Sequence, residues 1–140
     1  MSQKIIVDTG VLIAFLLPKD KFHDWAVNQF SKITAPVITN EAVITEACFL
    51  ARRIHQGQAT ILKLIKQGHI AIPFCVNEEI EAIEILMQRY ISVPMSLADA
   101  CLVRMSEMYE DSQIITLDSD FTIYRKHRNQ AISLIMPAEN

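Results

Sequence analysis

Short apolar runs rich in β-branched residues alternate along this chain with longer stretches in which apolar positions recur every three or four residues. The runs Ile5-Ile6-Val7, Pro36-Val37-Ile38-Thr39, Ile70-Ala71-Ile72-Pro73-Phe74, Ile114-Ile115-Thr116-Leu117 and Ile132-Ser133-Leu134-Ile135 have the length and composition of buried strands. The intervening segments carry helical periodicity, which predicts helices over 10–17, 22–32, 40–55, 58–67, 77–90 and 96–110, with a short one over 120–127. Gly57 and Gly68 punctuate the middle pair, and Pro94 separates the fifth helix from the sixth. Strands separated by helices are joined by crossovers, so the expected fold is α/β, a parallel sheet covered by helices on both faces. No repeat or linker divides the sequence, and residues 1–140 are expected to form a single domain.

Composition narrows this picture mainly by exclusion. A chain of 140 residues that is 51% hydrophobic can bury a core without disulfides or a structural metal. With 21% charged residues, 3 glycines and 5 prolines it fits neither the disordered nor the fibrous classes. The apolar stretch from Val11 to Pro18 is far shorter than the roughly 20 residues of a membrane span, and Asp8 interrupts the first hydrophobic run where a signal peptide would continue. A cytoplasmic protein without membrane association is expected. Cys48, Cys75 and Cys101 lie too far apart for a CxxC zinc site and are read as buried free thiols; the histidines are equally dispersed.

The acids carry the chemistry. In an open parallel sheet, ligands bind beyond the carboxyl ends of the strands. Asp8 follows the first run and Asp118 the fourth, so both are expected on that rim, although an aspartate after a strand also serves as a cap or turn starter. Along the third helix, at about 100° per residue, Val43, Leu50 and Ile54 fall within roughly 40° of one another, and Glu46 lies about 40° beyond Leu50. Glu46 is therefore expected inside the buried stripe, with a cation, a hydrogen-bond partner or a salt bridge to Arg52 or Arg53; Glu41 falls on the solvent face. Asp99 is the lone charge between Leu97 and Val103, and Ser96-Leu97-Ala98-Asp99 also matches a capping box. Four carboxylates converging from separate elements repel one another unless a cation neutralises them, and hard oxygen ligands favour magnesium or manganese.

At these residues the chain resembles a PIN domain over nearly its whole length. The segments that carry the likeness are IIVDTGVLIAFL around Asp8, PVITNEAVITEACFLAR around Glu46, SLADACLV around Asp99 and IITLDSDF around Asp118 and Asp120. The resemblance implies a three-layer PIN-like fold with a five-stranded parallel sheet in the order 3-2-1-4-5. It also implies metal-dependent endoribonuclease activity on RNA, with Asp8, Glu46, Asp99 and Asp118 as catalytic and metal-binding residues, Asp120 as a further acidic position, and Thr116 and Asn40 as polar neighbours. One or two Mg2+ or Mn2+ ions would activate water for in-line attack, leaving 5′-phosphate and 3′-hydroxyl ends. Chains of this size are similar to VapC-type toxins of toxin–antitoxin pairs, which implies a homodimer and a cognate antitoxin whose carboxyl-terminal segment enters the site. A PIN protein in RNA processing, or a non-catalytic PIN-fold module binding RNA or protein, is the alternative.

The net charge of −3 opposes broad nucleic-acid binding. Local basic clusters offset it: Arg52 and Arg53 adjoin His55, and Arg125, Lys126 and Arg128 surround His127, so these five are the expected RNA contacts. Leu12, Phe15, Leu16, Phe22 and Trp25 are read as core, with a dimer or antitoxin surface as the other possibility. Asp8-Thr9-Gly10 is also the aspartic-protease triplet, but it occurs once, in a mostly helical pattern. Phosphatases of the haloacid-dehalogenase type place a second aspartate two residues after the first, where Gly10 stands, and the paired acids of receiver domains are missing.

Overall fold

A computed structural model describes residues 3–138. Strands β1 (Lys4–Val7), β2 (Val37–Ile38), β3 (Ile70–Ala71) and β4 (Ser112–Ile115) alternate with helices α1 (Thr9–Leu16), α2 (His23–Ser31), α3 (Glu41–Leu50), α4 (Gly57–Lys66), α5 (Ile80–Arg89) and α6 (Leu97–Met108). After β4 come β5 (Arg125–Lys126), β6 (Gln130–Ala131) and β7 (Leu134–Ile135). The main sheet has the order β3-β2-β1-β4-β7 and every pairing in it is parallel. This is the expected 3-2-1-4-5 arrangement, because β7 is the predicted fifth strand and the β5-β6 hairpin stands outside the sheet.

The sheet centre is apolar throughout. Ile6 and Val7 of β1 and Ile114 and Ile115 of β4 are fully buried, in register as neighbours, as β-branched residues between two helical layers should be. Val11 and Ala14 of α1, Val43 and Ala47 of α3, Ile61 of α4, and Cys101, Leu102 and Met105 of α6 close over them. Each large aliphatic side chain buried this way stabilises the fold by about 1.5–3 kcal/mol.

Helix ends follow local chemistry. The side chain of Asn40 caps α3 by accepting from Val43 N–H at 3.0 Å. Helix α4 ends in a Schellman motif: Gly68, at φ 83°, donates to Ile65 O, and His69 donates to Leu64 O. Gly57 begins the same helix where a Cβ would stand 2.6 Å from Ala51 O, so no side chain fits.

Three expectations need correction. The third helix stops at Leu50 and tightens into a 3-10 turn over Ala51–Arg53, so Ile54 is extended rather than helical. The short helix expected over 120–127 is a 3-10 turn, Ser119–Thr122, followed by the β5-β6 hairpin; His127 and Arg128 take positive φ values of 48° and 76°, which no right-handed helix allows. The thiols are not uniformly buried: Cys101 is buried, Cys48 half-buried and Cys75 exposed. Of the early apolar residues, Leu12 is buried and Phe15, Leu16, Phe22 and Trp25 are half-buried against the core.

Candidate active site

The carboxyl ends of β1 and β4 deliver two acids to one edge of the sheet. Asp8 follows Val7 directly, held by its N–H donating to Ile115 O at 3.1 Å across the β1-β4 pair. It caps α1, with Oδ1 accepting from Thr9 N–H at 2.7 Å, while Oδ2 accepts from the Thr116 hydroxyl at 2.7 Å. Asp118 lies two residues past Thr116; its N–H donates to Thr116 Oγ1 at 3.0 Å, and its Oδ1 accepts from Asp120 N–H at 2.9 Å, starting the 3-10 turn. Thr116 is fully buried and ties both acids to one hydroxyl.

Asp99 enters from the first turn of α6. The capping box is present: Asp99 N–H donates to Ser96 Oγ at 3.1 Å, and Asp99 Oδ2 accepts from Ser96 N–H at 3.4 Å. The same Oδ2 also accepts from the Tyr124 hydroxyl at 3.2 Å. Asp99 is therefore both a cap and a member of the site, and the two readings of its sequence position do not compete.

Glu46 corrects the sequence reading. It is exposed, not buried, because the core-facing stripe of α3 runs through Val43 and Ala47, and Leu50, taken as the stripe's centre, is itself 48% exposed. Among the described residues it makes no ion pair within 4 Å with Arg52 or Arg53. Its face of α3 instead borders the acids: Asp8, Glu46, Asp99 and Asp118 line one open cleft of about 410 Å³, with Thr9, Gly10, Leu50, Ser96 and Leu117.

Burial, more than mutual repulsion, governs the charge of the two shifted acids. Burial pushes the Asp8 carboxyl up to about 6, against the hydrogen bonds from Thr116 and Thr9, and the charges of Asp99 and Asp118 push the same way. Asp99 is also raised, chiefly by burial, with Asp118 adding to it. Among the described residues, no group of three or more His, Cys, Asp or Glu side chains forms a ready-made chelating cage. The donor set nonetheless fits a hard divalent cation: all four are carboxylates, each oxygen of Asp8 keeps a spare lone pair, and no cationic side chain among the described residues is paired with them.

The remaining expected residues divide. Thr116 belongs to the site. Asp120 is half-buried in the turn beside Asp118 and does not line the cleft; Asn40 caps α3 and reaches Met105 Sδ at 3.7 Å, so it supports the helix that carries Glu46. Arg52 donates Nε to Phe49 O at 2.7 Å and lies 3.8 Å above the Phe49 ring, and Arg53 is exposed beside it. Arg125 spends Nη1 on the carbonyls of Thr122, Ile123 and Tyr124, whereas Lys126 is half-exposed and Arg128 exposed. Two contributors were missed. Thr39 is buried and donates to Val7 O at 2.9 Å, fixing the backbone just before Asp8. Tyr124 could have been flagged, since a tyrosine in an apolar turn needs a partner for its hydroxyl.

The family model described as the PIN domain matches residues 5–126. Among solved structures, the fold is similar to that of Mycobacterium tuberculosis VapC20, a sarcin–ricin loop cleaving toxin, with a TM-score of 0.75 and 21% identity over 86% of this chain and 94% of that one. No curated protein matches.

Proposed function

The chain belongs to the PIN-domain family, and from that premise we propose that it is a single-domain Mg2+- or Mn2+-dependent endoribonuclease, the toxin of a toxin–antitoxin pair. The observation that carries the reading is the meeting of Asp8, Glu46, Asp99 and Asp118, from four separate elements, around one open cleft. The likeness to a sarcin–ricin loop cleaving toxin supports the toxin role.

Asp8, Asp99 and Asp118 would hold the ion, with Glu46, exposed across the cleft, as the fourth carboxylate available to it. When bound, a divalent ion supplies a water of lowered pKa and offsets charge on the phosphoryl and leaving oxygens. The protein's part is positional. Thr116 keeps Asp8 and Asp118 at a fixed separation, and the turn started by Asp118 holds that carboxylate through Asp120 N–H. Water drawn into the cleft meets Glu46 as its most solvent-accessible acid, which suits that residue to accept a proton. Products carry 5′-phosphate and 3′-hydroxyl ends. RNA approaches along the basic residues Arg52, Arg53, Lys126 and Arg128.

Partners follow the same reading. Exposed Ile80 at the start of α5, Ile91 just past its end and Leu97 at the start of α6 line one open groove of the kind a homodimer covers. The open apolar cavity of about 280 Å³ lined by Leu12, Phe15, Phe30, Ile33 and Leu64 offers an antitoxin a place for bulky side chains. No helix among the described residues is long and apolar enough to cross a membrane.

The test is cleavage of an end-labelled RNA, the sarcin–ricin loop being the first choice, in Mn2+ and in chelator. Cleavage only with metal, lost in Asp8→Asn and Asp99→Asn, is the expected result; equal cleavage by those variants would sink the reading. The missing ready-made cage favours one second reading, a PIN-fold module that binds RNA without cutting it. Calorimetric titration with Mn2+ separates the two, since such a module need not bind the ion.

A further inference from the structure

Tyr124 has no exposed surface, yet its hydroxyl ends 3.2 Å from a carboxylate on the cleft. Its ring is clamped edge-on between Tyr90, 5.1 Å away at 67°, and Phe121, 5.2 Å away at 86°. The backbone is held on both sides: Tyr124 N–H donates to Asp120 O at 3.1 Å, and Arg125 N–H donates to the Tyr90 hydroxyl at 2.8 Å. A phenol fixed this firmly can fix what it bonds to.

Among the described residues, both side-chain hydrogen bonds that reach Asp99 end on Oδ2, and Oδ1 receives none. The other donor, Ser96 N–H, is at 3.4 Å, near the limit of a useful bond, and sits in the exposed first turn of α6. Tyr124 is thus the shorter and better-buried of the two restraints on this carboxylate. The contact also joins two parts of the site that share no strand: the turn begun by Asp118 and the helix start that carries Asp99.

We propose that Tyr124 is a positioning residue for Asp99, holding Oδ2 so that Oδ1 is left as the oxygen that binds the divalent ion. This rests on the metal-nuclease reading above. The phenol's single O–H is the donor of this bond and the carboxylate oxygen its acceptor. Groups that orient a metal ligand typically change metal affinity or activity by about 10- to 100-fold when removed.

The experiment uses Tyr124→Phe, which keeps the ring and both aromatic contacts. Mn2+ affinity of the metal-free protein, read by calorimetry, should fall about 10-fold or more, and kcat on RNA should fall with KM unchanged. Thermal unfolding in chelator should stay close to wild type. Mn2+ affinity within twofold of wild type overturns the proposal, as does a variant whose only change is a lower unfolding temperature with affinity spared. Asp99→Asn is the control: if it loses Mn2+ binding while Tyr124→Phe keeps it, this inference alone fails; if Asp99→Asn binds Mn2+ like wild type, the metal-site reading fails and takes the inference with it. Should Tyr124→Phe not fold, Ser96→Pro decides, since the φ of −77° at Ser96 admits proline and proline removes the N–H that is the other donor to Oδ2: Mn2+ affinity within twofold of wild type is expected where Tyr124 is the controlling restraint, and a 10-fold loss assigns that role to the capping box and overturns the proposal.

Discussion

The Thr116 hydroxyl stands 2.7 Å from Asp8 Oδ2 and donates to it, while its own lone pair accepts the N–H of Asp118 at 3.0 Å. One side chain therefore satisfies an acid at the end of β1 and the backbone of a second acid just past β4. The relay also opposes burial in setting the charge of Asp8. Thr116→Val preserves shape but removes both bonds, leaving a half-buried N–H and a buried carboxylate oxygen unpaired. Stability should fall by about 1–3 kcal/mol and Mn2+ affinity by about 10- to 100-fold. Chemical denaturation and calorimetry check the two effects; a variant that binds Mn2+ like wild type would show that the relay is dispensable.

Asp8 makes the metal-free protein pH-sensitive in an uncommon direction. Its ordinary value is 3.8, and burial raises it to about 6 in the fold. Between those values the folded state binds more protons than the unfolded one, so stability falls as pH rises. The contribution is complete below about pH 4 and lost as pH passes through about 6, an effect of at most about 3 kcal/mol. Asp99, raised in the same sense, adds to it. Asp8→Asn removes the larger share: in chelator at pH 7–8 the variant should be more stable than wild type, with a flatter profile from pH 4 to 7. In the Asp8→Asn variant the amide N–H donates to Thr116 Oγ1, reversing the bond that Thr116 makes to the carboxylate. Urea melts across that range test it, and identical pH profiles for the two proteins would refute the assignment.

Much of the sheet was legible because its strands are short, β-branched and bounded by polar residues, and parallel order follows from alternation with helices. Asp8 and Asp118 were legible for the same reason: the carboxyl end of a strand can be read from where its apolar run stops. Glu46 was placed on the wrong face because the wheel was centred on Leu50, a large apolar residue, whereas small Ala47 marks where α3 closes on the core. Its membership of the cleft came from the resemblance and not from periodicity. The 120–127 segment was misread because its apolar spacing is helical, while the positive φ at His127 and Arg128 is set by a hairpin that spacing does not encode. Tyr124 escaped notice through that error, since its partner lies 25 residues away.

Exposure makes Glu46 the cleanest probe of function separated from folding. Surface substitutions without packing or network consequences stay within about 0.5 kcal/mol. Glu46→Gln should leave denaturant stability unchanged within that margin yet reduce RNA cleavage at least about 10-fold, consistent with the size of proton-transfer contributions. Full activity in this variant would remove Glu46 from the machinery and leave three aspartates to carry it.

The basic cluster after the 3-10 turn separates into structural and available charge. Arg125 donates Nη1 to the carbonyls of Thr122, Ile123 and Tyr124 at 2.7, 3.3 and 3.1 Å, closing the end of the turn that begins with Asp118. Arg128 is exposed at the hairpin tip, with no such commitment to any of the described residues. Each phosphate contact on single-stranded RNA adds about 0.7 to the slope of log affinity against log salt. Arg128→Ala should reduce that slope by about this amount and leave stability alone. Arg125→Ala should cost about 1 kcal/mol of stability through the lost carbonyl bonds while the slope holds. Binding to RNA in chelator, measured across a salt series, distinguishes them. A slope that drops in Arg125→Ala while its stability holds would mean that the guanidinium leaves its carbonyls for phosphate when RNA arrives.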